Sequence, residues 1–425
     1  MDSRQKAQKT QKEEKTGGSR LMGCYNSFTN GEQALNTSAA GLVQCGFVMK
    51  TLLTFASLAF AGLTFTHAQE VAKDERPVIQ VAILLDNSGS MQGLIQQAKT
   101  QIWQIVNEFV SAKQDGKAPR VQVGLYEYGI RDAQDNGSYV RQLSPLTEDL
   151  DSLSEKLFKI DKRDSGGSEF CGWVIKDAVE HFKWDKSPKT YKAIFIAGNE
   201  EFTQGAVNYK TACKSAIEQG IIVNTIHCGE ESVGIQHLWK DAAAMSDGRF
   251  LVINHNAVAV NITAPQDKEI ADLNSKLNDT YIGYGKVGAE GKMRQSVQDA
   301  NAAAAPASAS VVAQRTFSKV SANYSNSSWD LVDRSKEKGF DVTKLAEADL
   351  PEEMKKLSTE ERVAYVEKKK TEREQLQNKL KELAGERDKF VAEKSKSESK
   401  ESTLGKAVST AIREQAGKKG VTFEK

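Results

Sequence analysis

Between residues 77 and 262 the chain alternates short, continuous apolar runs with longer segments whose apolar residues recur at helical spacing. The continuous runs are typical of strands buried on both faces of a sheet, and they read VIQVAILL, YKAIFIAG, IIVNTIHCG and RFLVINH. The periodic segments predict helices at 94–110, 150–160, 172–182, NYKTACKSAIEQG and IQHLWKDAAAMSDG. Repeated strand–helix units indicate a doubly wound α/β fold, in which a mostly parallel sheet carries helices on both faces.

Two further strand-like segments, RVQVGLYEYG and YVRQLSPL, are separated by the polar connection IRDAQDNGS. The Asn136-Gly137 pair in this connection favours a tight hairpin turn, so the two segments should pair in antiparallel fashion. The sequence therefore predicts a mostly parallel, six-stranded, Rossmann-like sheet with one antiparallel edge strand, followed by an α-helical C-terminal extension.

The pattern changes after Thr263. Residues 263–298 contain a helical segment that we expect to pack back on the domain of residues 77–262. Residues 299–349 are interpreted as a linker or irregular segment, because they begin with DANAAAAPASASVVAQ. That stretch favours either a flexible linker or an alanine-rich helix interrupted at Pro306. Residues 350–425 form a charged helical extension.

A broken heptad runs through the charged extension. Its seam positions are Val366, Leu376, Leu380, Leu383 and Phe390, and the charged residues that interrupt it are Lys369, Arg373, Arg387 and Lys394. Such a seam favours a solvated helix held by i,i+4 ion pairs over a strong coiled coil, with self-association through residues 350–400 as the alternative. The tail LGKAVSTAIREQAGKKG predicts a second, short amphipathic helix.

The segment MKTLLTFASLAFAGLTFTHAQE begins at Met49. It has a basic start, an apolar stretch over residues 52–65 and small residues before a cleavage site after Ala68, which is the pattern of a secretory signal peptide. The apolar stretch is shorter than the roughly 20 residues of a membrane-spanning helix; an internal core helix is the alternative. We therefore predict a secreted or periplasmic protein with its signal peptide at 49–68, preceded at 1–48 by a non-native or disordered leader.

Composition narrows the function classes. An apolar content of 39% supports a folded core, and a net charge of +1 argues against a protein built to bind nucleic-acid phosphates. Downstream of the signal, the cysteines are Cys171, Cys213 and Cys228, which permit at most one intrachain disulfide and leave its pairing open. No CxxC pair occurs, so a zinc site of that type is unsupported.

The candidate chemistry lies in VAILLDNSGSMQGLIQQAK, where a buried strand passes into a helix. Asp86, Ser88 and Ser90 follow the strand at alternate positions, at the edge where open α/β sheets place their ligands. A hard divalent cation such as Mg²⁺ prefers oxygen ligands, and one carboxylate with two hydroxyls supplies part of its shell with little negative charge. A cation held in this way would take an anionic ligand from outside.

Two more loops could add oxygen ligands. In DSGGSEFCGWVI, Ser168 follows two glycines that let the backbone turn sharply toward the first loop. In AIFIAGNEEF, the loop offers Asn199, Glu200 and Glu201, of which Asn199 and Glu200 are the candidates for the ion. The glutamates of SEF and NEEF also have a plain interpretation as solvated loop carboxylates.

These loops resemble the von Willebrand factor A family, whose metal-ion-dependent adhesion site carries Asp-x-Ser-x-Ser. DNSGS matches that motif, GGS stands where the family has Gly-Gly-Thr, and AMSDGRFLVI resembles the family's last helix and strand. The resemblance implies that Asp86, Ser88, Ser90 and Ser168 bind Mg²⁺, with Mn²⁺ or Ca²⁺ as alternatives. It also implies a protein partner that offers a carboxylate. The chain is similar to uncharacterised secreted bacterial proteins with such a domain and a charged helical extension.

One departure concerns the third loop. The family usually has Thr-Asp-Gly there, whereas this chain has Ala197, Gly198 and Asn199. The second aspartate is therefore missing from its register, and Asn199 or Glu200 would have to take its place.

Other readings receive less support. The chain lacks a G-x-G-x-x-G after the first strand, a Walker A motif and a G-x-S-x-G elbow, and Ser88 stands where a dehalogenase-like phosphatase needs a second aspartate. The loop serines could instead simply cap the first helix. We predict a non-enzymatic, adhesion-type binding module of the cell envelope; the alternative is an assembly scaffold that acts through its helical tail with a degenerate metal site.

Overall fold

The computed structural model describes residues 75–109, 111–131, 137–160, 166–256, 262–306, 308–395 and 403–423. The predicted leader, the predicted signal peptide at 49–68 and most of the predicted hairpin turn lie outside these residues. Residues 72–425 form one compact unit.

The described residues form two β-sheets. Their strands are β1 (Val78–Asp86), β2 (Ala112–Gln114), β3 (Arg120–Tyr128), β4 (Val140–Thr147), β5 (Tyr191–Gly198), β6 (Ile222–Cys228), β7 (Phe250–Ile253) and β8 (Val421–Phe423). Six of them form the main sheet in the order β4-β3-β1-β5-β6-β7, and only β4 runs antiparallel to its neighbour. This confirms the predicted sheet with its antiparallel edge. A second, two-stranded antiparallel sheet pairs β2 with β8, which the sequence pattern did not predict.

The helices of the described residues divide between the sheet's two faces and the C-terminal region. They are α1 (Gln92–Asn107), α2 (Leu150–Phe158), α3 (Cys171–His181), α4 (Tyr209–Glu218), α5 (Glu231–Gln236), α6 (Trp239–Ala244), α7 (Asp267–Asn278), α8 (Gly288–Ala304), α9 (Ser308–Ser318), α10 (Leu331–Arg334), α11 (Glu352–Lys355), α12 (Thr359–Ser395) and α13 (Leu404–Gly417).

Alternate residues of β1 enter two separate hydrophobic cores. Val81 and Ile83 pack with α1, α2 and α13 on one face, while Ala82 and Leu84 pack with α3, α4 and α6 on the other. Because side chains alternate across a strand, a continuous apolar run of this kind requires cover on both faces. The doubly wound arrangement is confirmed.

The predicted helix IQHLWKDAAAMSDG is two helices in the structure. Between α5 and α6, Leu238 adopts a left-handed backbone with a φ of 68°. This break lets the side chain of Trp239 turn inward, where it is fully buried and its indole nitrogen donates to the carbonyl of Glu200 at 2.8 Å. A sequence pattern without glycine or proline gave no signal for this interruption.

Residues 299–318 differ from the expected linker. Of the two alternatives for this stretch, the structure has helix, which α8 and α9 form on either side of Pro306. Arg315 of α9 is buried, and its guanidinium contacts Asp151 of α2 at 2.6 Å and lies 4.4 Å from the ring centroid of Trp103 in α1. The segment therefore packs on the main domain through a buried ion pair that periodicity could not reveal.

The seam of α12 faces the rest of the chain, so the expectation of a solvated helix fails on this side. Val366, Leu380 and Leu383 are buried. Both arginines that interrupt the heptad, Arg373 and Arg387, are buried as well, and each pairs with a carboxylate at the start of a neighbouring helix. Among the described residues, no helix is both long and apolar enough to cross a membrane.

Helix α13 closes the core on one face of the sheet, although it lies far along the chain from β7. Leu404, Val408 and Ile412 are buried in the same cluster as Val81 and Ile226. The amide of Gln415 exchanges hydrogen bonds with Asn224 of β6 at 2.6 and 3.0 Å. The predicted tail helix is thus part of the main domain's core.

Candidate functional site

The loop between β1 and α1 is folded around the carboxylate at the end of the strand. The backbone N–H of Ser88 donates to Oδ1 of Asp86 at 2.7 Å, and the Oγ atoms of Ser88 and Ser90 lie 3.3 Å apart. A short 3₁₀ turn, Gly89–Met91, then leads into α1. An aspartate that accepts from the backbone two residues on is a common way to fix a turn. It places the three predicted oxygen ligands in one loop.

The hydroxyls of this loop do not cap a helix. Ser88 precedes the 3₁₀ turn without a side-chain capping hydrogen bond, and the residue that precedes α1 is Met91. The alternative in which these serines serve only as caps is therefore not what the structure has.

Asp86 is a buried carboxylate with one unsatisfied oxygen. Its residue is 0% exposed, and Oδ2 has no hydrogen-bond partner within the described part of the chain. Burial raises the pKa of Asp86 to about 7, hydrogen bonds from Ser88 oppose this rise, and the charges of Glu169 and Glu200 add to it. A desolvated carboxylate of this kind is costly to ionise unless a cation lies beside it.

Two glycines leave room for this carboxylate. A Cβ at Gly129, whose φ is 73°, would lie 3.0 Å from Oδ1 of Asp86. A Cβ at Gly198 would lie 2.4 Å from the hydroxyl of Tyr128 and 2.9 Å from Oδ2 of Asp86. Gly198 holds the register of the missing aspartate, and the Tyr128 hydroxyl, which donates to the carbonyl of Ala197 at 2.9 Å, fills the space that such a side chain would need.

The second loop approaches the site through its glycines. The N–H of Gly167 donates to the carbonyl of Gly129 at 3.0 Å, and Gly166 has a φ of 103°, as the predicted sharp turn requires. A Cβ at Gly167 would lie 2.7 Å from the carbonyl oxygen of Ile130. The half-buried Ser168 follows directly, so the loop that carries it packs against the loop after β3.

The third loop presents Asn199 and Glu200. Oδ1 of Asn199 is buried without a hydrogen-bond partner among the described residues, and its Nδ2 donates weakly to Glu200 at 3.4 Å. The ring of His237 lies 3.3 Å from the carbonyl of Asn199 and helps to hold the loop. Asn199 therefore has a spare amide oxygen, and the charge of Glu200 acts on Asp86.

Sequence reasoning missed Glu169, which it treated as a solvated loop carboxylate. The side chain is half-buried, and burial raises its pKa, with a further contribution from the charge of Glu200. Hydrogen bonding by Gln204 and Ser88 opposes this rise. Glu169 lies beside the first loop, because a Cβ at Gly129 would be 3.4 Å from Cγ of Glu169 and 3.3 Å from the backbone nitrogen of Ser88. Its position directly after Ser168 was the only signal in the sequence.

Two buried thiols lie near Asp86, and one of them, that of Cys171, is 4.0 Å from the hydroxyl of Tyr128. Cys171 and Cys228 are buried, and burial, followed by the charge of Asp86, raises the pKa of each thiol. All three described cysteines, including Cys213, are free, so none of the pairings left open by the sequence is formed. In this region the thiols pack as small apolar groups.

The donors at this edge suit a hard cation. Within the described ranges no group of three or more His, Cys, Asp or Glu side chains is arranged to hold a metal ion. The metal ligands predicted from the sequence differ from such a group, because they include hydroxyls and an amide oxygen as well as carboxylate. Oxygen donors of this type are what Mg²⁺, Mn²⁺ and Ca²⁺ bind, and the unpartnered oxygens of Asp86 and Asn199 leave coordination to be completed.

A doubly wound sheet whose first strand ends in an Asp-x-Ser-x-Ser loop defines a class of α/β binding domain. Residues 80–256 match the family model of the von Willebrand factor type A domain, which covers less than half of the chain. This segment is therefore a von Willebrand factor A domain. Domains of this family are generally protein-interaction modules.

Solved structures resemble the chain only in fold. BatB, a conserved hypothetical protein from Bacteroides thetaiotaomicron, is 19% identical with a TM-score of 0.32 and covers 41% of this chain and 90% of its own. An aerotolerance-related membrane protein from Bacteroides fragilis is 20% identical with a TM-score of 0.31, covering 42% and 93%. Proximal thread matrix protein 1 from the mussel byssus, with a zinc-occupied MIDAS motif, is 13% identical with a TM-score of 0.34, covering 43% of each chain. No curated protein matches the chain.

Proposed function

We propose that this von Willebrand factor A domain binds a divalent cation, Mg²⁺ in the first instance, and through it captures a carboxylate of a protein partner. The proposed ligands are Asp86, Ser88, Ser90 and Ser168, directly or through water, with Asn199 or Glu200 in place of the missing aspartate, so that one of the six positions of Mg²⁺ stays open. The partner's carboxylate would complete the coordination shell, so binding rather than chemical turnover is the proposed activity. We further propose that the protein acts in the cell envelope, after cleavage of the signal peptide predicted from the sequence.

The observation that carries this proposal is the state of Asp86. Its carboxylate lies at the carboxyl end of a central strand, is fully buried, and has an oxygen without a partner among the described residues. A protein gains nothing in stability from such a group, since burial of an uncompensated carboxylate costs free energy. A bound cation would compensate the charge. The two serine hydroxyls beside it supply neutral donors to the same ion.

The scaffold alternative is not favoured. Self-association through α12 would need its apolar seam on the surface, but Val366, Leu380 and Leu383 are buried against the chain's own helices. Arg373 and Arg387, which would face a partner helix, already pair with carboxylates of α10 and α7.

Calorimetric titration of the full chain with Mg²⁺ and Mn²⁺ tests the proposal. We expect saturable binding in the parent and its loss in Asp86→Ala, because this change removes the buried carboxylate. The matched control is Asp247→Ala, in a loop before β7, which should bind as the parent does. A parent that shows no saturable binding of either ion, with a normal unfolding transition, would refute the proposal.

The partner's chemistry is tested next with an acidic peptide. In the presence of Mn²⁺ we expect the parent to bind a peptide with a central glutamate, and not the same peptide with glutamine in its place. Equal binding of both peptides, or binding that persists in chelator, would show that no carboxylate is captured through a metal.

A further inference from the structure

The turn between α5 and α6 contacts the third loop of the candidate site at two successive carbonyl groups. Nδ1 of His237 lies 3.3 Å from the carbonyl oxygen of Asn199, and because that oxygen can only accept, the ring nitrogen is the donor. The indole nitrogen of Trp239 donates to the carbonyl oxygen of Glu200 at 2.8 Å. His237 and Trp239 flank Leu238, so one short segment holds the backbone of both candidate ligands.

Further contacts fix this segment to the loop and to the sheet. The N–H of Phe202 donates to the carbonyl of His237 at 3.0 Å. The ring of Phe202 meets that of Trp239 edge to face, with centroids 4.8 Å apart, and Trp239 is 0% exposed. The hydroxyl of Thr225 in β6 donates to the carbonyl of Trp239 at 2.8 Å. The third loop is therefore tied to a tryptophan that is itself fixed to a central strand.

The backbone of Leu238 allows both neighbours to reach the same loop. Its φ of 68° and ψ of 16° lie in the left-handed region. A residue with a Cβ is strained there, because that atom crowds the following carbonyl. Strain of this kind persists only where surrounding contacts over-determine the backbone, and such residues cluster at functional sites. The contacts of His237 and Trp239 with the third loop are contacts of that kind.

Asn199 and Glu200 differ in what they leave for a cation. Oδ1 of Asn199 is buried without a hydrogen-bond partner among the described residues. Its Nδ2 lies 3.4 Å from Oε1 of Glu200, so the amide nitrogen faces this carboxylate and the amide oxygen remains. A buried acceptor without a partner costs free energy, which a bound cation would recover.

The third loop also touches the other unpartnered oxygen of the site. A Cβ at Gly198, the residue before Asn199, would lie 2.9 Å from Oδ2 of Asp86. Oδ2 has no partner within the described part of the chain either. The two buried oxygens that lack a partner thus belong to loops that meet at Gly198.

We propose that His237 and Trp239 are positioning residues, which fix the third loop so that Asn199, rather than Glu200, is its ligand for the divalent cation. This inference rests on the proposed function, since it concerns the same ion. Mg²⁺ demands near-ideal octahedral geometry, whereas Ca²⁺ accepts irregular shells. A loop that loses its anchors should therefore lose affinity for Mg²⁺ more than for Ca²⁺.

The test is calorimetric titration of the full chain with Mg²⁺ and with Ca²⁺. Trp239→Phe keeps an aromatic ring but removes the N–H that holds Glu200, and His237→Leu removes the donor to Asn199. We expect each variant to lower the Mg²⁺ affinity at least about tenfold, the scale seen when outer-shell partners of a metal site are lost, and the Ca²⁺ affinity by a smaller factor. Asn199→Ala should lower the ratio of the two affinities as well, whereas Glu200→Ala should leave that ratio unchanged.

Trp184→Phe is the matched control, because the indole nitrogen of Trp184 also donates to a backbone carbonyl, that of Ala178 at 2.9 Å. It should bind both ions within about twofold of the parent. Unfolding in chelator shows whether each variant is folded. A purely structural role would lower both affinities by the same factor, through loss of folded protein.

The outcomes separate this inference from the proposed function. If Trp239→Phe and His237→Leu bind Mg²⁺ as the parent does, or lower both affinities equally, the inference fails and the proposed function stands. The same holds if Glu200→Ala, and not Asn199→Ala, lowers the ratio. A parent that does not bind Mg²⁺ contradicts the inference, and one that binds neither Mg²⁺ nor Mn²⁺ contradicts the proposed function too.

Discussion

The imidazole of His227 is buried near the end of β6, where it packs against α5 and the ring of Trp239. The residue is 1% exposed, and Nδ1 has no hydrogen-bond partner among the described residues. A Cβ at Gly234 would lie 2.7 Å from its ring, and the ring of Trp239 is 5.7 Å away between centroids. Burial lowers the pKa of His227 to about 4, and the charges of His237 and His255 act in the same direction.

The low pKa of His227 predicts that this residue lowers stability in mild acid. Between its ordinary pKa of 6.5 and its folded value of about 4, the unfolded chain binds a proton that the folded chain does not. The contribution of His227 to stability therefore falls as the pH falls through this range, by about 2 kcal/mol between pH 7.5 and pH 5. Asp86 acts in the opposite direction, since its raised pKa stabilises the fold as the pH falls below 7, so the effect of His227 is measured by comparing variants.

Replacement of His227 by glutamine isolates this effect. We measure the free energy of unfolding with urea in chelator at pH 7.5 and pH 5. We expect the change between these two pH values to favour the fold by about 2 kcal/mol more in His227→Gln than in the parent. His181→Gln, at an exposed position of α3, is the control and should follow the parent. Parallel curves for all three proteins would show that His227 is protonated as readily in the fold as outside it.

At this scale the sequence predicts the first loop and the sharp turn of the second, but not the approach of Glu169. Asp86, Ser88 and Ser90 could be found because their spacing and the strand before them are local properties of the chain. Glu169 could not, because its approach to Asp86 depends on how Gly167 packs under the loop that contains Gly129. The hydrophobic periodicity of either segment does not indicate that contact.

At the scale of the elements, the strands and the helices around the sheet can be predicted from hydrophobic periodicity. The packing of the C-terminal helices depends instead on buried ion pairs. Arg373 of α12 is buried and contacts Asp330 at 2.6 Å and Asp333 at 3.0 Å. Its guanidinium lies 3.8 Å from the ring centroid of Tyr281. In the heptad such an arginine looks like an interruption, because the carboxylates that pair with it lie in another part of the chain.

Removal of Arg373 should therefore destabilise the fold strongly. Arg373→Met leaves two carboxylates without their cation in a buried setting, and loss of one partner of a buried pair costs about 3–5 kcal/mol. Urea unfolding at pH 7 measures this change. Lys214→Met removes one side of the exposed Lys214–Glu218 pair of α4 and should cost less than about 0.5 kcal/mol. Equal stability of the two variants would contradict the assigned role of the Arg373 pair.

At the scale of the whole molecule, the extension and the sheet share one core. Helix α13 packs on α1, the helix that follows the Asp-x-Ser-x-Ser loop. The backbone N–H of Leu404 donates to Oε1 of Gln97 at 2.9 Å, and that of Gly405 donates to Gln101. The sequence predicts α13 as an amphipathic helix but not the surface it covers, since that surface is assembled from residues more than a hundred positions away.

A chain that ends at residue 402 should not form this core. The truncation exposes the face of α1 and the sheet that Leu404, Val408, Ala411 and Ile412 cover. It also leaves Asn224 of β6 without the amide of Gln415. Because each fully buried large aliphatic side chain contributes roughly 1.5–3 kcal/mol and domains are stable by only about 5–15 kcal/mol, we expect loss of the cooperative thermal transition and binding of a hydrophobic dye.

Addition of the missing segment separates this explanation from a general effect of truncation. A synthetic peptide of residues 403–425 should restore the transition and suppress dye binding, because its apolar face fits the exposed surface. The same peptide with Val408→Asp and Ile412→Asp should not, since it would bury two carboxylates in an apolar core. A truncated chain that unfolds cooperatively at the parent's temperature would show that residues 72–402 fold without α13, and that the helix is an attachment to the domain rather than a part of its core.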